Sequence, residues 1–440
     1  MNYEKFLSNP AYQKLRSKNL ESWSEEELSR FLVLDYFDIF STESVSAKDL
    51  KEKVLKSREF SILKYDKYKT PFSFVDRFFL KLYLKNIKKN PSKKILFQSS
   101  KYSSLILESK KHYNTGLIVQ GRKDRFFALK NFMGYLGAND LDQFVFNYLK
   151  EGNIKYLYQL LGKVEEKLMM VNPDYIVLLE DNLQIGRAIV LVSKKMGITT
   201  LVVQPGTGDS SFYIYEDFVA DYFLAWGQYS KILQWQSGIR KLEDIYILGY
   251  PYLVKTNEAL IKNNHRTVCY LGQDYERYIK DLLEVKLQIL NKLSETCKKL
   301  GLKFIYRCHP GDDRRALLQK LPNIFFVPKK EKIEETFERA DIFISFSSTA
   351  LVEAAMRQKI TLQLMDFPIK LDNLEKLGAC SKSFENLAGL ENCLTKIANA
   401  QNLNEFKIKF NNDYIETRYN PGQRFLEIIK EIENNKKLKA

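Results

Sequence analysis

The sequence predicts an α/β protein of two parallel-sheet domains facing across a cleft, with a helical N-terminal extension. Three observations carry that expectation. From Lys94 onward, short apolar runs alternate with helical stretches, the texture of a parallel sheet wrapped by helices. The alternation comes in two series, punctuated at Gly249-Tyr250-Pro251. The chain has 440 residues and a 45% hydrophobic content, enough for two buried cores and long for one domain.

The first series gives expected strands at Ile95–Phe97, Gly116–Gln120, Tyr175–Glu180, Thr199–Gln204 and Tyr222–Trp226. The second gives Thr267–Leu271, Lys303–Arg307, Ile324–Val327, Ile342–Phe346 and Ile360–Leu364, with helices at Tyr278–Leu300 and Thr349–Arg357. The expected division is a basic helical region over 1–92, one α/β domain over 93–250 and a second over 251–418. A closing helix and tail occupy 419–440: a turn at Tyr419-Asn420-Pro421-Gly422 leads into a helix over Arg424–Ile432, and the polar end from Asn434 is expected to fray.

Composition narrows the function. With 26 Tyr and 29 Phe the chain is no disordered polymer. Five scattered cysteines and three histidines form neither a C-x-x-C pair nor an H-E-x-x-H array, so neither a disulfide framework nor a structural metal site is expected. The N-terminus lacks a secretory apolar core and no run approaches the roughly 20 apolar residues that span a bilayer, which points to the cytoplasm.

The net charge is +15 and concentrates near the front: Lys51 to Lys94 holds 14 Lys/Arg against 4 Asp/Glu, interleaved with aromatic residues. A helix there would set Phe78 and Phe79 into an anionic membrane and reach headgroups with Lys81, Lys85, Lys88 and Lys89. The other reading is a helix packed on the sheet domain with a solvated basic edge. No RNP-like or helix-turn-helix signature accompanies the charge, so nucleic acid is not an expected partner.

Chemistry-bearing residues cluster where apolar runs end, the edge at which open α/β sheets collect ligands. After Tyr175–Leu179 come Glu180, Asp181 and Asn182: a carboxylate there can act as general base, or Asp181 or Asn182 can simply cap the next helix. After Lys303–Arg307 come His309 and Pro310; Pro310 fixes the turn, and His309 can donate to a phosphate oxygen, with Arg307 or Arg314 assisting. After Ile342–Phe346 come Ser347, Ser348 and Thr349, opening a helix whose free N–H groups suit a phosphate; an ordinary N-cap needs only one such hydroxyl. Gln204 and Gly206 sit in a polar turn open to close backbone approach. Neither G-x-G-x-x-G after an early strand nor a G-x-S-x-G elbow is present, which argues against a nicotinamide dehydrogenase and a serine hydrolase.

Taken in order, Glu180-Asp181-Asn182, Gln204-Pro205-Gly206, His309-Pro310 and Ser347-Ser348-Thr349 resemble the motifs of bacterial capsule and lipooligosaccharide glycosyltransferases of the GT-B fold. Sialyltransferases and polysialyltransferases look nearest. The resemblance spans about residues 94–435 and implies two Rossmann-like domains facing across a cleft, with the acceptor on the first and the nucleotide sugar on the second.

It further implies Glu180 or Asp181 as base and His309 as phosphate contact and leaving-group aid. Ser347, Ser348 and Thr349 would bind the phosphate, Glu353 would reach the donor ribose, and Arg307, Pro310 and Gly272 would complete the donor side. Asn182, Gln204 and Gly206 fall on the acceptor side, and Asn182 departs from the glycine usual in the acidic motif.

No metal or cofactor is implied; the substrates are a nucleotide sugar, CMP-activated by preference, and a glycan or lipid-linked glycan, at the inner face of the cell membrane. The alternatives are a nucleotide-sugar 2-epimerase, a CDP-glycerol-type transferase and a non-enzymatic basic protein that binds membranes or polyanions.

Overall fold

The computed structural model describes residues 80–81, 84–85, 92–119, 122–151, 155–181, 184–206, 220–236, 238, 240–252, 266–273, 282–366 and 371–439. The expected α/β architecture is present as two parallel sheets. The first sheet contains β1 (Lys94–Phe97), β2 (Asn114–Val119), β3 (Gly134–Gly137), β4 (Tyr175–Leu178), β5 (Thr199–Val203), β6 (Tyr222–Ala225) and β7 (Ile245–Ile247). Its strand order is β3-β2-β1-β4-β5-β6-β7, parallel throughout. Because both faces of such a sheet are covered, its strands are continuous apolar runs, and that is why they were legible.

Helices α1 (Ser103–Ser109) and α2 (Arg122–Lys130) precede β2 and β3. α3 (Asn139–Glu151), α4 (Lys155–Val171), α5 (Gln184–Met196) and α6 (Gln228–Gln236) follow in chain order. One face of the sheet buries Leu96, Ile176 and Val202 against residues such as Leu161, Val164 and Ile189 of α4 and α5. Leu80 and Leu84 pack onto this same core, while Lys81 and Lys85 are exposed. That is the geometry of the packed helix with a solvated basic edge, so these two lysines rim a helix docked on protein. Phe78, Phe79, Lys88 and Lys89 lie outside the described residues.

The second sheet contains β8 (Thr267–Leu271), β9 (Lys303–Arg307), β10 (Phe325–Phe326), β11 (Ile342–Ser345), β12 (Ile360–Leu364) and β13 (Lys382–Phe384). Its order is β10-β9-β8-β11-β12-β13, again parallel. Its helices are α7 (Leu282–Lys299), α8 (Arg314–Lys320), α9 (Ile333–Arg339), α10 (Thr349–Met356) and α11 (Leu387–Asn399).

The last helix, α12 (Pro421–Lys439), belongs spatially to the first domain. Phe425, Leu426, Ile428, Ile429 and Ile432 bury themselves against Ile95, Phe97, Leu117 and Val177. The polar end expected to fray is helical to Lys439, because Asn435 donates to the Tyr246 hydroxyl at 3.2 Å and Lys436 reaches Thr199 Oγ1. Tertiary contacts override the weak local propensity.

The chain therefore crosses between the sheets twice, at 248–252 and 411–418, and the crossings are hydrogen-bonded: Tyr250 N donates to Glu416 O at 2.9 Å, and Glu416 N to Trp226 O at 2.8 Å. Two glycines permit this. Gly249 adopts φ 86°, and a Cβ there would sit 2.8 Å from Glu416 O. A Cβ on Gly227 would collide with Asp413 O and Tyr414 O.

Candidate functional site

The strand ends of the second domain form a concave site. A cavity of about 370 Å³, within the usual range for a small-molecule site, opens among Leu271, His309, Arg314, Val327, Pro328 and Ser348. His309 stands at its edge. Its Nδ1 accepts from Gly311 N at 3.1 Å, so the neutral ring carries its proton on Nε2. Its backbone N donates to Asp312 Oδ2 at 2.8 Å.

Asp312 anchors a buried polar network. Its side chain is 0% exposed and pairs with Lys286 Nζ at 2.8 Å, itself 5% exposed; its second oxygen also accepts from the Tyr306 hydroxyl at 2.7 Å. Lys286 further donates to Gln273 O at 2.8 Å. Burial is costly to both charges, and it is tolerated because each is paired and hydrogen-bonded. The Tyr306 hydroxyl is held well above its ordinary pKa by burial first and by Asp312 second, and so stays a donor.

Gly272 has its explanation here: a Cβ would lie 2.5 Å from the Tyr306 hydroxyl and 2.9 Å from both Asp312 Oδ2 and His309 N. The glycine expected on the donor side is the clearance that lets this network close behind His309. Arg307 also departs from expectation. It borders the cavity, but its guanidinium donates to Thr336 Oγ1 at 2.6 Å and Glu331 O at 3.1 Å, fastening the approach to α9. Arg314 donates to Val327 O at 2.6 Å and shapes the wall.

The three consecutive hydroxyls have three environments. Ser347 N donates to Gln273 Oε1 at 3.1 Å. Ser348 is the N-cap of α10, its Oγ accepting from Ala350 N at 3.2 Å. Thr349 faces the first domain: a Cβ built on Gly206 would come within 3.3 Å of its Oγ1. Pro310, His309 and Ser348 border one cavity, so the H-P and Ser-Ser-Thr motifs converge at the N-terminus of α10, where N–H groups and the helix dipole favour an anion.

Across the cleft, the strand ends of the first domain carry Glu180 and Asp181. Asp181 is committed: Oδ2 accepts from Arg240 at 2.7 Å and from Ala220 N at 3.0 Å. Arg240 is held in turn by Gln234 Oε1 at 2.6 Å and lies over the Phe223 ring at 4.9 Å. Glu180 precedes it at the same strand end. Asn182 lies outside the described residues.

Gln204 is a structural residue, contrary to its expected acceptor-side role. It is 1% exposed, accepts from Trp226 N at 2.8 Å and donates to Gly206 O at 2.8 Å, so both ends of its amide shape the turn. Gly206 touches Thr349 because Gln204 holds it there.

Glu353, one turn into α10, accepts a hydrogen bond from the Tyr250 hydroxyl. Burial, the largest influence, raises its pKa above the usual carboxylate range. Lys286, Gln273, Arg240 and Tyr250 carry no separate signal in the sequence. Each is one polar residue inside an ordinary helix or loop pattern.

No family model matches the chain, and no curated protein matches it. Its fold is shared by solved structures. These include S. aureus MnaA with UDP, 13% identical, TM-score 0.54, over 79% of this chain and 97% of that one. The UDP-GlcNAc 2-epimerase of Neisseria meningitidis bound to UDP-GlcNAc is 14% identical, TM-score 0.52, over 78% and 99%. The UDP-N-acetylglucosamine 2-epimerase of Rickettsia bellii is 15% identical, TM-score 0.53, over 78% and 96%. At these identities the likeness is one of fold, and it gives the chain its architecture: two Rossmann-like domains facing across a cleft, of the GT-B type.

Proposed function

We propose that the chain is a nucleotide-sugar enzyme that transfers a sugar to a glycan acceptor. The observation that carries this reading is the meeting of His309 with the capped N-terminus of α10 at one cavity of nucleotide size. In the displacement we envisage, Glu180 takes the proton of an acceptor hydroxyl as its oxygen attacks the anomeric carbon. The bond from that carbon to the phosphate oxygen breaks, and the electron pair leaves with the nucleotide. The α10 N–H groups, the Ser347 and Thr349 hydroxyls and His309 Nε2–H meet the charge on the departing phosphate.

The finer assignment rests on the motif resemblance: a CMP-activated, sialic-acid-like sugar, added to bacterial capsule or lipooligosaccharide at the inner face of the membrane. Among the described residues no helix is long and apolar enough to cross a bilayer. We attribute membrane association to the rest of the basic front segment, Lys88 and Lys89 among it, and not to Lys81 and Lys85. Substituting Glu for its lysines should release the protein from anionic vesicles, and unchanged vesicle binding would refute this.

The second reading is nucleotide-sugar 2-epimerisation, favoured by the fold shared with UDP-GlcNAc 2-epimerases. Against it stands the motif resemblance, which favours transfer to an acceptor. Thermal shift with CMP, CDP, UDP and GDP tests the nucleotide reading, because a ligand of the native state raises its stability. Stabilisation by one of them, lost in His309→Ala, is expected. Appearance of an epimer from UDP-GlcNAc alone would replace transfer by epimerisation, and no response to any nucleotide would remove both.

A further inference from the structure

We propose that Lys101 supplies, from the first domain, a further cation that meets the nucleotide's phosphate, so that a bound nucleotide joins the two domains. The inference rests on the nucleotide-sugar reading above and extends it to the opposite wall of the cleft.

Lys101 lies in the 3-10 turn Ser100–Tyr102, directly after β1, at the strand end that neighbours β4 and Glu180. That turn is well anchored. Ser99 Oγ accepts from Lys101 N at 3.2 Å, and Asp124 Oδ1 accepts from Ser100 N at 2.8 Å and from Ser100 Oγ at 2.5 Å. Tyr102, 1% exposed, donates to Val203 O at the end of β5. A long, mobile side chain thus starts from a fixed base.

The ammonium end lies 5.9 Å from the centroid of the Tyr252 ring, a cation–π distance. Tyr252 stacks on Tyr102 at 6.0 Å and meets Tyr250 edge-on at 5.1 Å, and Tyr250 donates to Glu353 of α10. Through this aromatic column Lys101 is tied to the helix that carries the Ser-Ser-Thr turn. Its charge sits in the fields of Glu180 and Glu353, one from each domain, while burial, the larger influence, lowers its pKa.

Electrostatics then calls for a cation. A phosphate approaching the N-terminus of α10 meets neutral donors from the helix and hydroxyls, in a cleft that also holds the carboxylates acting on Lys101. Both arginines at the cavity are spent on the second domain's own loops, and the cavity's lysine, Lys329, also belongs to the second domain, so a cation from the first domain would be an added one. Lys101 is a point charge on a flexible stem, able to swing from the Tyr252 ring toward a phosphate. Gly206 already brings the first domain against Thr349, so the distance to be closed is short.

The test compares Lys101→Gln and Lys101→Arg with wild type by calorimetry, using the nucleotide that stabilises the wild type and its parent nucleoside. Lys101→Gln should weaken the nucleotide about tenfold or more, leave the nucleoside and the unliganded melting temperature unchanged, and be largely rescued by Lys101→Arg. An equal fall for nucleoside and nucleotide would make Lys101 a structural counter-ion and overturn the inference. Wild-type nucleotide affinity in Lys101→Gln, alongside a loss in His309→Ala, would overturn it and leave the nucleotide reading standing. No nucleotide binding by the wild type would overturn both.

Discussion

The two walls of the cleft are built differently. In the second domain the polar groups at the strand ends are fixed from behind: Asp312, fully buried, ties Lys286, Tyr306 and the backbone of His309 into one network, and Gly272 makes room for it. In the first domain the charged groups stand at the rim, where Asp181 is held by Arg240, Lys101 rests on an aromatic ring, and Glu180 occupies the end of β4. The difference teaches a division of labour. A wall that holds a nucleotide phosphate gains from pre-organisation, since rigid donors need no rearrangement when charge develops. On the first domain's wall Asp181 is fixed in turn by Arg240, and it is the long side chain of Lys101 that can move.

The largest expected effect breaks the network on the rigid side. Asp312→Ala strands Lys286 in the core and should cost about 3–5 kcal/mol in urea unfolding, with nucleotide stabilisation abolished. A loss under about 1 kcal/mol would mean that His309 is not held from behind, and the contrast between the walls would fall. Next comes Gly272→Ala, where overpacking against Tyr306 and His309 should cost about 1–3 kcal/mol and weaken nucleotide binding.

On the other wall, Arg240→Ala leaves Asp181, among the described residues, with the Ala220 N–H and should cost about 1–2 kcal/mol. Nucleotide binding should be unchanged, and a marked loss would show that the walls are not independent.

The smallest effect is a pH dependence. Because burial raises the Glu353 pKa, the folded state binds its proton more tightly than the unfolded chain does. Its contribution to stability is therefore full below the ordinary glutamate pKa of 4.5 and is lost as pH rises through the folded value. Glu353→Gln, which keeps a partner for Tyr250, should melt slightly higher than wild type at pH 7 and level with it near pH 4.5. The reverse order would refute the sign.

Much of the fold was legible because buried parallel strands are uninterrupted apolar runs. β3 escaped notice, being four residues with a glycine at each end, and β13 did too, as a three-residue edge strand that begins with an exposed lysine. His309 and the Ser-Ser-Thr turn could be read because polar residues break an apolar run at a definite point. Lys286 could not: in the amphipathic Leu282–Lys299 pattern it looks like any solvent-facing lysine, yet it points inward to Asp312. Asp312 and Asp313 are adjacent and alike in sequence, but Asp313 caps α8 while Asp312 is the buried one. Only the fold separates such neighbours, because burial of a charge depends on partners distant along the chain.

The position of α12 has a consequence for biosynthesis. The surface formed by Ile95, Phe97, Leu117 and Val177 is translated before the second domain, but the residues that cover it, Phe425 through Ile432, follow the whole of that domain. On the ribosome the second domain can complete its own core while the first still presents an open greasy face. Of these two domains the one made earlier is finished later, a reversal of the usual N-to-C order. Nascent chains stalled before residue 421 should accordingly be the species that chaperones capture.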